Sequence, residues 1–100
     1  MKKPSKFILC CANGAGSSLI MQLTIQKVLD KVALTPAKIH RCSVSEGKVQ
    51  ALQYDVVFTT RNFVELFEEA TKKGVIVIAL QNIMSPDEIE SSMREHGIIN

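Results

Sequence analysis

A chain of 100 residues, 46% hydrophobic and 22% charged, has room for one domain and one core. A formal net charge of +2, no basic run, and five aromatics without tryptophan exclude a phosphate-tracking groove and a base-stacking platform, so no nucleic-acid partner is expected. Nothing approaches the length of a membrane span, and three cysteines, two of them adjacent and none in Cys-x-x-Cys spacing, form neither a disulfide framework nor a zinc site.

The expectation is therefore a single domain over residues 1–100 that works in the reducing cytoplasm, with no metal, no cofactor and no direct membrane insertion. The opening Met1 to Lys6 followed by Phe7 to Cys11 has the outline of a secretory signal. Its apolar stretch of five residues is short of the roughly 7–15 that a signal core needs, and Gly14 and Gly16 interrupt it. A buried strand over residues 6–11 fits better. Its unbroken apolar run is the pattern of a strand covered on both faces of a parallel sheet.

From Ser17 to about Ala33 the apolar period becomes helical, with Met21, Ile25, Val28, Leu29 and Val32 on one stripe. Thr35-Pro36 breaks it. Residues 37–44 read as a second strand whose Lys38, His40 and Arg41 place it at a sheet edge. Residues 45–52 carry a weak signal, for a short helix or an irregular crossover. Residues 54–60 form the third strand. Residues 62–73 read as a helix with Val64, Phe67 and Ala70 inward and Gly74 as its end. Residues 75–80 are six apolar residues in a row, the clearest strand. Ser85-Pro86-Asp87-Glu88 then combines an N-cap serine, a first-turn proline and a capping-box glutamate, and Gly97 stands at the far end.

Four βα units in this order predict an α/β three-layer sandwich of the flavodoxin or Rossmann-like kind. Its four-stranded parallel sheet has the order 2-1-3-4, with helices on both faces. The topological switch point then falls between strands one and three, where such sheets bind ligands. That places the loop after Cys11 opposite Thr59-Thr60-Arg61-Asn62.

The loop itself, Cys11-Ala12-Asn13-Gly14-Ala15-Gly16-Ser17-Ser18, offers backbone N–H groups and a helix N-terminus to one anion, with a thiol at its mouth. A thiol so placed should ionise below the free value of about 8.5. Spacing removes the commoner glycine loops. Leu19 stands where a dinucleotide fingerprint needs its third glycine. No lysine lies between Lys6 and Lys27 for a Walker loop. Ser17 stands where a tyrosine-phosphatase loop needs arginine, the residue that clamps a phosphoryl group in the transition state.

What remains, Cys-x-Asn-Gly-x-Gly-Ser-Ser opening a βα unit, resembles the IIB component of the bacterial phosphoenolpyruvate-dependent sugar phosphotransferase system (PTS). The L-ascorbate-type branch is nearest and the galactitol-type next. Cys42-Ser43-Val44 and Gln81-Asn82-Ile83-Met84-Ser85-Pro86 extend the resemblance in the same order across nearly the whole chain. Ala12, where relatives often carry glycine, is a departure, and no fixed residue type is expected at Arg61.

The resemblance implies a phosphotransferase, a phosphoryl carrier with a phosphocysteine intermediate. Its cysteine accepts from a IIA phosphohistidine and passes the group to a sugar held by a membrane IIC component, here L-ascorbate. Cys11 is then the nucleophile. The amides of Ala12, Asn13, Gly14, Ala15, Gly16, Ser17 and Ser18 bind the phosphoryl oxygens, with help from the Ser17 and Ser18 hydroxyls. Cys10, expected on the opposite face, and Cys42 read as inert core thiols. His40 and His96 read as an edge-strand residue and a helix-end cation. Arg61 reads as a solvated loop residue or a second phosphoryl contact. Residues 13–18, Thr60 to Phe63 and Gln81 to Met84 are the expected partner surface. The rivals are a galactitol- or other sugar-specific IIB, a hydrolase resembling the low-molecular-weight cysteine phosphatases, and a binding module that has lost the chemistry.

Overall fold

The computed structural model describes residues 5–11 and 16–99, residues 16–18 as backbone alone. Four strands, β1 (Lys6–Cys11), β2 (Lys38–Ser43), β3 (Val56–Thr60) and β4 (Ile76–Leu80), form one parallel sheet in the order β2-β1-β3-β4. The helices are α1 (Gly16–Lys31), α2 (Val44–Gln50), α3 (Glu68–Lys72) and α4 (Pro86–Glu95). This is the expected architecture, with the polar strand at the edge.

Side-chain alternation along the strands builds two cores. On one face Phe7, Leu9, Phe58, Ile78 and Leu80 pack under Met21, Ile25 and Leu29 of α1 and Ile89 and Met93 of α4. On the other, Ile8, Cys10 and Val57 meet Cys42, Ala51, Tyr54, Phe67 and Ala70. Each fully buried aliphatic or aromatic side chain contributes about 1.5–3 kcal/mol against leaving it in water. β1 is therefore fixed in register by both cores at once. Gly47 of α2 is part of the second core, since a Cβ there would lie 2.2 Å from Cys10 Sγ.

Two elements differ from expectation. Residues 61–73 are not one α-helix: Arg61–Phe67 is a 3₁₀ stretch, and only Glu68–Lys72 is α-helical. Phe67 and Ala70 are buried as expected and Val64 half-buried. Val64, Phe67 and Ala70 stand three apart, which is the 3₁₀ period and keeps one row inward without a full α turn. The weak 45–52 segment resolves into α2 followed by a 3₁₀ turn, Ala51–Gln53, with the Ser43 hydroxyl accepting from the Glu46 amide.

α1 also stops before its proline. Ala33 takes a left-handed φ of 58°, Leu34 N–H bonds the Leu29 carbonyl at 3.0 Å, and Ala33 N–H bonds that of Asp30. This pair of bonds is a Schellman ending, closed by Leu34 folding onto the first core. The same ending closes α3 at Gly74 and α4 at Gly97, both glycines with positive φ. An L-residue in that conformation costs roughly 1–2 kcal/mol, part of which glycine gives back in unfolded-state entropy. Ala33→Gly, at an exposed position, should therefore stabilise the fold by about 1 kcal/mol. A thermal melt should show a rise of roughly 4–8 °C.

Candidate functional site

β1 carries its alternation to its last residue. Cys10 pairs with Cys42 and Thr59 across the sheet and joins the second core, whereas Cys11 belongs to the first. The two adjacent thiols thus face opposite sides, as expected. Cys10 Sγ lies 3.8 Å from Cys42 Sγ, and no disulfide forms among the described residues. Burial, reinforced by the Cys42 sulfur beside it, pushes the Cys10 thiol far above its ordinary range. Burial also pushes the Cys42 thiol up. Both stay protonated and poorly nucleophilic at neutral pH.

Cys11 occupies different ground. It lines a cleft of about 420 Å³ at the carboxyl ends of β1, β3 and β4, together with Thr60, Arg61, Asn62, Phe63, Leu80 and Gln81. Of the expected segment Thr59 to Asn62, Thr60, Arg61 and Asn62 line the cleft with Cys11, joined by Phe63 and by Gln81 from the β4 end; Thr59, level with Cys10, does not line it. The thiol is not at the mouth. With 1% of its surface exposed, Cys11 forms part of the cleft floor, because the strand end is roofed by the same core that fixes β1. The loop Ala12, Asn13, Gly14 and Ala15 lies outside the described residues, as do the side chains of Ser17 and Ser18; the backbone of α1 is helical from Gly16.

Several residues escaped the sequence reading. Glu88 belongs to a sequence pattern for a capping box, and the Ser85 hydroxyl does accept from the Glu88 amide at 3.2 Å. The Glu88 carboxylate, however, accepts from the backbone amides of Gln81 at 2.7 Å and Asn82 at 2.8 Å. It ties α4 to the loop that forms one wall of the cleft. Asn82 Oδ1 tightens that loop further by accepting from the Met84 amide at 2.9 Å. Leu19, Ile20 and Leu23 form an exposed apolar row on the N-terminal half of α1, outside its buried stripe, and Met84 is 67% exposed. Their signal was available: apolar residues off the inward stripe of a helix beside the site.

Of the remaining candidates, Arg61 is exposed and lines the cleft. His40 stacks on Tyr54 at the β2 edge, with ring centroids 6.1 Å apart. His96 Nδ1 lies 2.8 Å from the Ser92 carbonyl at the end of α4. Neither histidine lines the cleft. No group of three or more metal-ligating side chains occurs among the described residues.

A family model described as "PTS system, Lactose/Cellobiose specific IIB subunit" matches residues 6–95. The chain belongs to this family. This IIB subunit is 22% identical over 86 residues to the ascorbate-specific PTS system EIIB component of Mycoplasma pneumoniae, a match spanning 86% of this chain and 87% of that protein. Its fold is that of the lactose-specific IIB component domain of the phosphotransferase system from Streptococcus pneumoniae. The TM-score is 0.70 over 95% of this chain and 99% of the other, at 16% identity. As a IIB subunit the chain is a phosphoryl carrier of a sugar-transporting phosphotransferase system, a role exercised with IIA and IIC components.

In this IIB subunit the β4 wall depends on one carboxylate. Glu88→Gln keeps the size of the side chain but turns one acceptor into a donor facing an amide N–H. It should cost about 1–2 kcal/mol in urea unfolding. Hydrogen exchange should localise the effect: the Gln81 and Asn82 amides exchange on the order of tenfold faster, while those within β4 keep their protection.

Proposed function

We propose that this IIB subunit carries its phosphoryl group on Cys11, receiving it from a IIA phosphohistidine and giving it to L-ascorbate held by a membrane IIC component. The supporting observation is the division of the thiols: Cys11 lines the cleft at the switch point, while Cys10 and Cys42 are held protonated in the opposite core. In the first step Cys11 Sγ, as thiolate, forms a bond to phosphorus as the N–P bond of phosphohistidine breaks. The electron pair stays on the imidazole nitrogen. In the second, a sugar hydroxyl oxygen bonds phosphorus, the S–P bond breaks, the thiolate is restored and the hydroxyl proton leaves. The amides from Ala12 to Ser18 bind the phosphoryl oxygens, and the N-terminus of α1 lowers the thiol pKa.

Residues 1–100 act in this reading as one IIB domain at the cytoplasmic face of the membrane. Among the described residues no helix is long and apolar enough to cross it. IIA and IIC meet the same thiol in turn, so they use one surface around the cleft. Thr60 to Phe63, Gln81 to Met84 and the loop residues 13–18 belong to it, with the exposed Leu19 and Ile20 as apolar contacts at its side. Both complexes dissociate every cycle, which favours a small interface of roughly 1,200 Å² or less.

The experiment is phosphorylation by a IIA protein charged from phosphoenolpyruvate through the general phosphotransfer proteins, followed by peptide mapping. Cys11 should carry the label, Cys11→Ser should lose transfer, and Cys10→Ser and Cys42→Ser should retain most of it. Label persisting in Cys11→Ser would remove the assignment.

Ascorbate as the transported compound is supported by the 22% identity to the Mycoplasma pneumoniae component. The lactose/cellobiose description of the family favours a disaccharide as the second reading. Membranes bearing an ascorbate-type IIC, supplied with this protein and the matching IIA, should form ascorbate phosphate. Formation of a phosphodisaccharide or galactitol phosphate alone, each with its own IIC and IIA, would keep the carrier and reject the substrate.

A further inference from the structure

Thr60 ends β3 and stands at the N-cap position of the 3₁₀ stretch Arg61–Phe67, with φ −90° and ψ 159°. Threonine at that position ordinarily turns its hydroxyl onto an amide of the following turn. Here it makes no such bond. Its Oγ1 is shielded from solvent and has no hydrogen-bond partner among the described residues. Leaving a hydroxyl in that state is costly unless something else satisfies it, and native proteins do so sparingly.

The sheet register shows which side the residue faces. Thr59 pairs with Cys10, so Thr60 is on the side of Cys11, and it pairs with Leu80 of the first core. Thr60 and Cys11 line the same cleft. A donor without an acceptor therefore borders the place where phosphorylation of Cys11 would add three acceptor oxygens. A tyrosine-phosphatase loop meets this demand with arginine; this chain has Ser17 at that position.

We propose that Thr60 is a further phosphoryl-binding residue of the carrier, its hydroxyl donating a hydrogen bond to an oxygen of phospho-Cys11. The inference rests on Cys11 being the acceptor. No proton is transferred: the bond exists in the phosphorylated state and is missing in the resting one. It therefore stabilises phosphocysteine against the phosphohistidine of the donor, and the partition of the phosphoryl group between the two proteins reports it directly. Hydrogen bonds to charged groups are strong enough to shift that partition on the order of tenfold or more.

The test uses the full chain, with histidine-phosphorylated IIA as donor. Thr60→Val keeps the shape and removes the donor; Thr60→Ser keeps the donor. The phosphoryl partition of Thr60→Val should move roughly tenfold towards IIA, and the phosphorus NMR resonance of its phosphocysteine should shift. Thr60→Ser should restore both. Thr59→Val, which deletes the second buried hydroxyl without a partner among the described residues, on the opposite face, should change neither. Thr60→Val should melt at or above the temperature of the unaltered protein, because the hydroxyl it removes is unsatisfied in the resting state. If valine prevents folding, Thr60→Ala is read by the same two measurements. Unaltered partition and resonance in the variant that folds would overturn the role of Thr60 and leave Cys11 as carrier. Failure of the unaltered protein to take the label on Cys11 would overturn both.

Discussion

The cleft depends on β1 being paired on both sides and covered on both faces. A strand in that position has no freedom of register: a slip of one residue would carry Phe7 and Leu9 out of one core and Ile8 and Cys10 out of the other. The same constraint decides the chemistry of two adjacent, otherwise equivalent thiols. Cys10 goes to the α2 face, against Gly47 and Cys42, where desolvation keeps it protonated. Cys11, one step on, is the last strand residue on the α1 face and forms the floor of the cleft. Alternation of the strand, rather than any local motif, separates an inert cysteine from a candidate nucleophile.

The second wall is built from backbone held by a distant side chain. At the β4 end the Asn82 side chain accepts from the Met84 amide, while the amides of Gln81 and Asn82 are held from α4. Glu88, one turn into α4, supplies two carboxylate oxygens to their amides. α4 is in turn locked by Ile89 and Met93 in the core beneath α1. On its outer side Glu90 accepts from Lys31 of α1 at 2.9 Å and from Arg94 at 3.0 Å. The exposed cations of that network contribute little stability. The buried apolar residues hold the helix, and the helix holds the loop.

The fold was legible where hydrophobic pattern and capping agreed. The run Val75 to Leu80, the polar second strand and the Ser85-Pro86 start of α4 all appear as read. The 3₁₀ stretch was not, because seven residues are too few to separate a period of 3.0 from 3.6. The end of α1 was read to within two residues, at about Ala33 against Lys31, but its left-handed ending was not visible because Ala33 fills a position where glycine is the usual signal. At the site, strand order alone put Thr60, Arg61 and Asn62 beside the end of β1, but it also put Thr59 there, and strand alternation turns that residue away. Glu88 was visible only as a local pattern, since a carboxylate that serves its own N-cap and one that reaches back to a preceding loop have the same sequence. Exposure of the thiol was overestimated for a related reason: the motif records which residues follow Cys11, not which core covers it.

On the proposed assignment of the phosphoryl group to Cys11, a buried thiol also bears on how a carrier could use a cysteine. Phosphocysteine in open water would meet a solvent nucleophile at every turn, whereas Cys11, a residue with 1% of its surface exposed, borders a cleft. Excluding water serves a carrier more than a hydrolase, because a hydrolase needs water at the phosphorus and a carrier needs it absent until the acceptor hydroxyl arrives. The same reasoning explains why a partner surface would be apolar at its edge. Leu19, Ile20 and Met84 leave hydrocarbon exposed, and on the proposed partner surface a partner that covered them would remove solvent as it docked. Hydrophobic contact would then contribute both to association and to keeping the proposed group transfer dry.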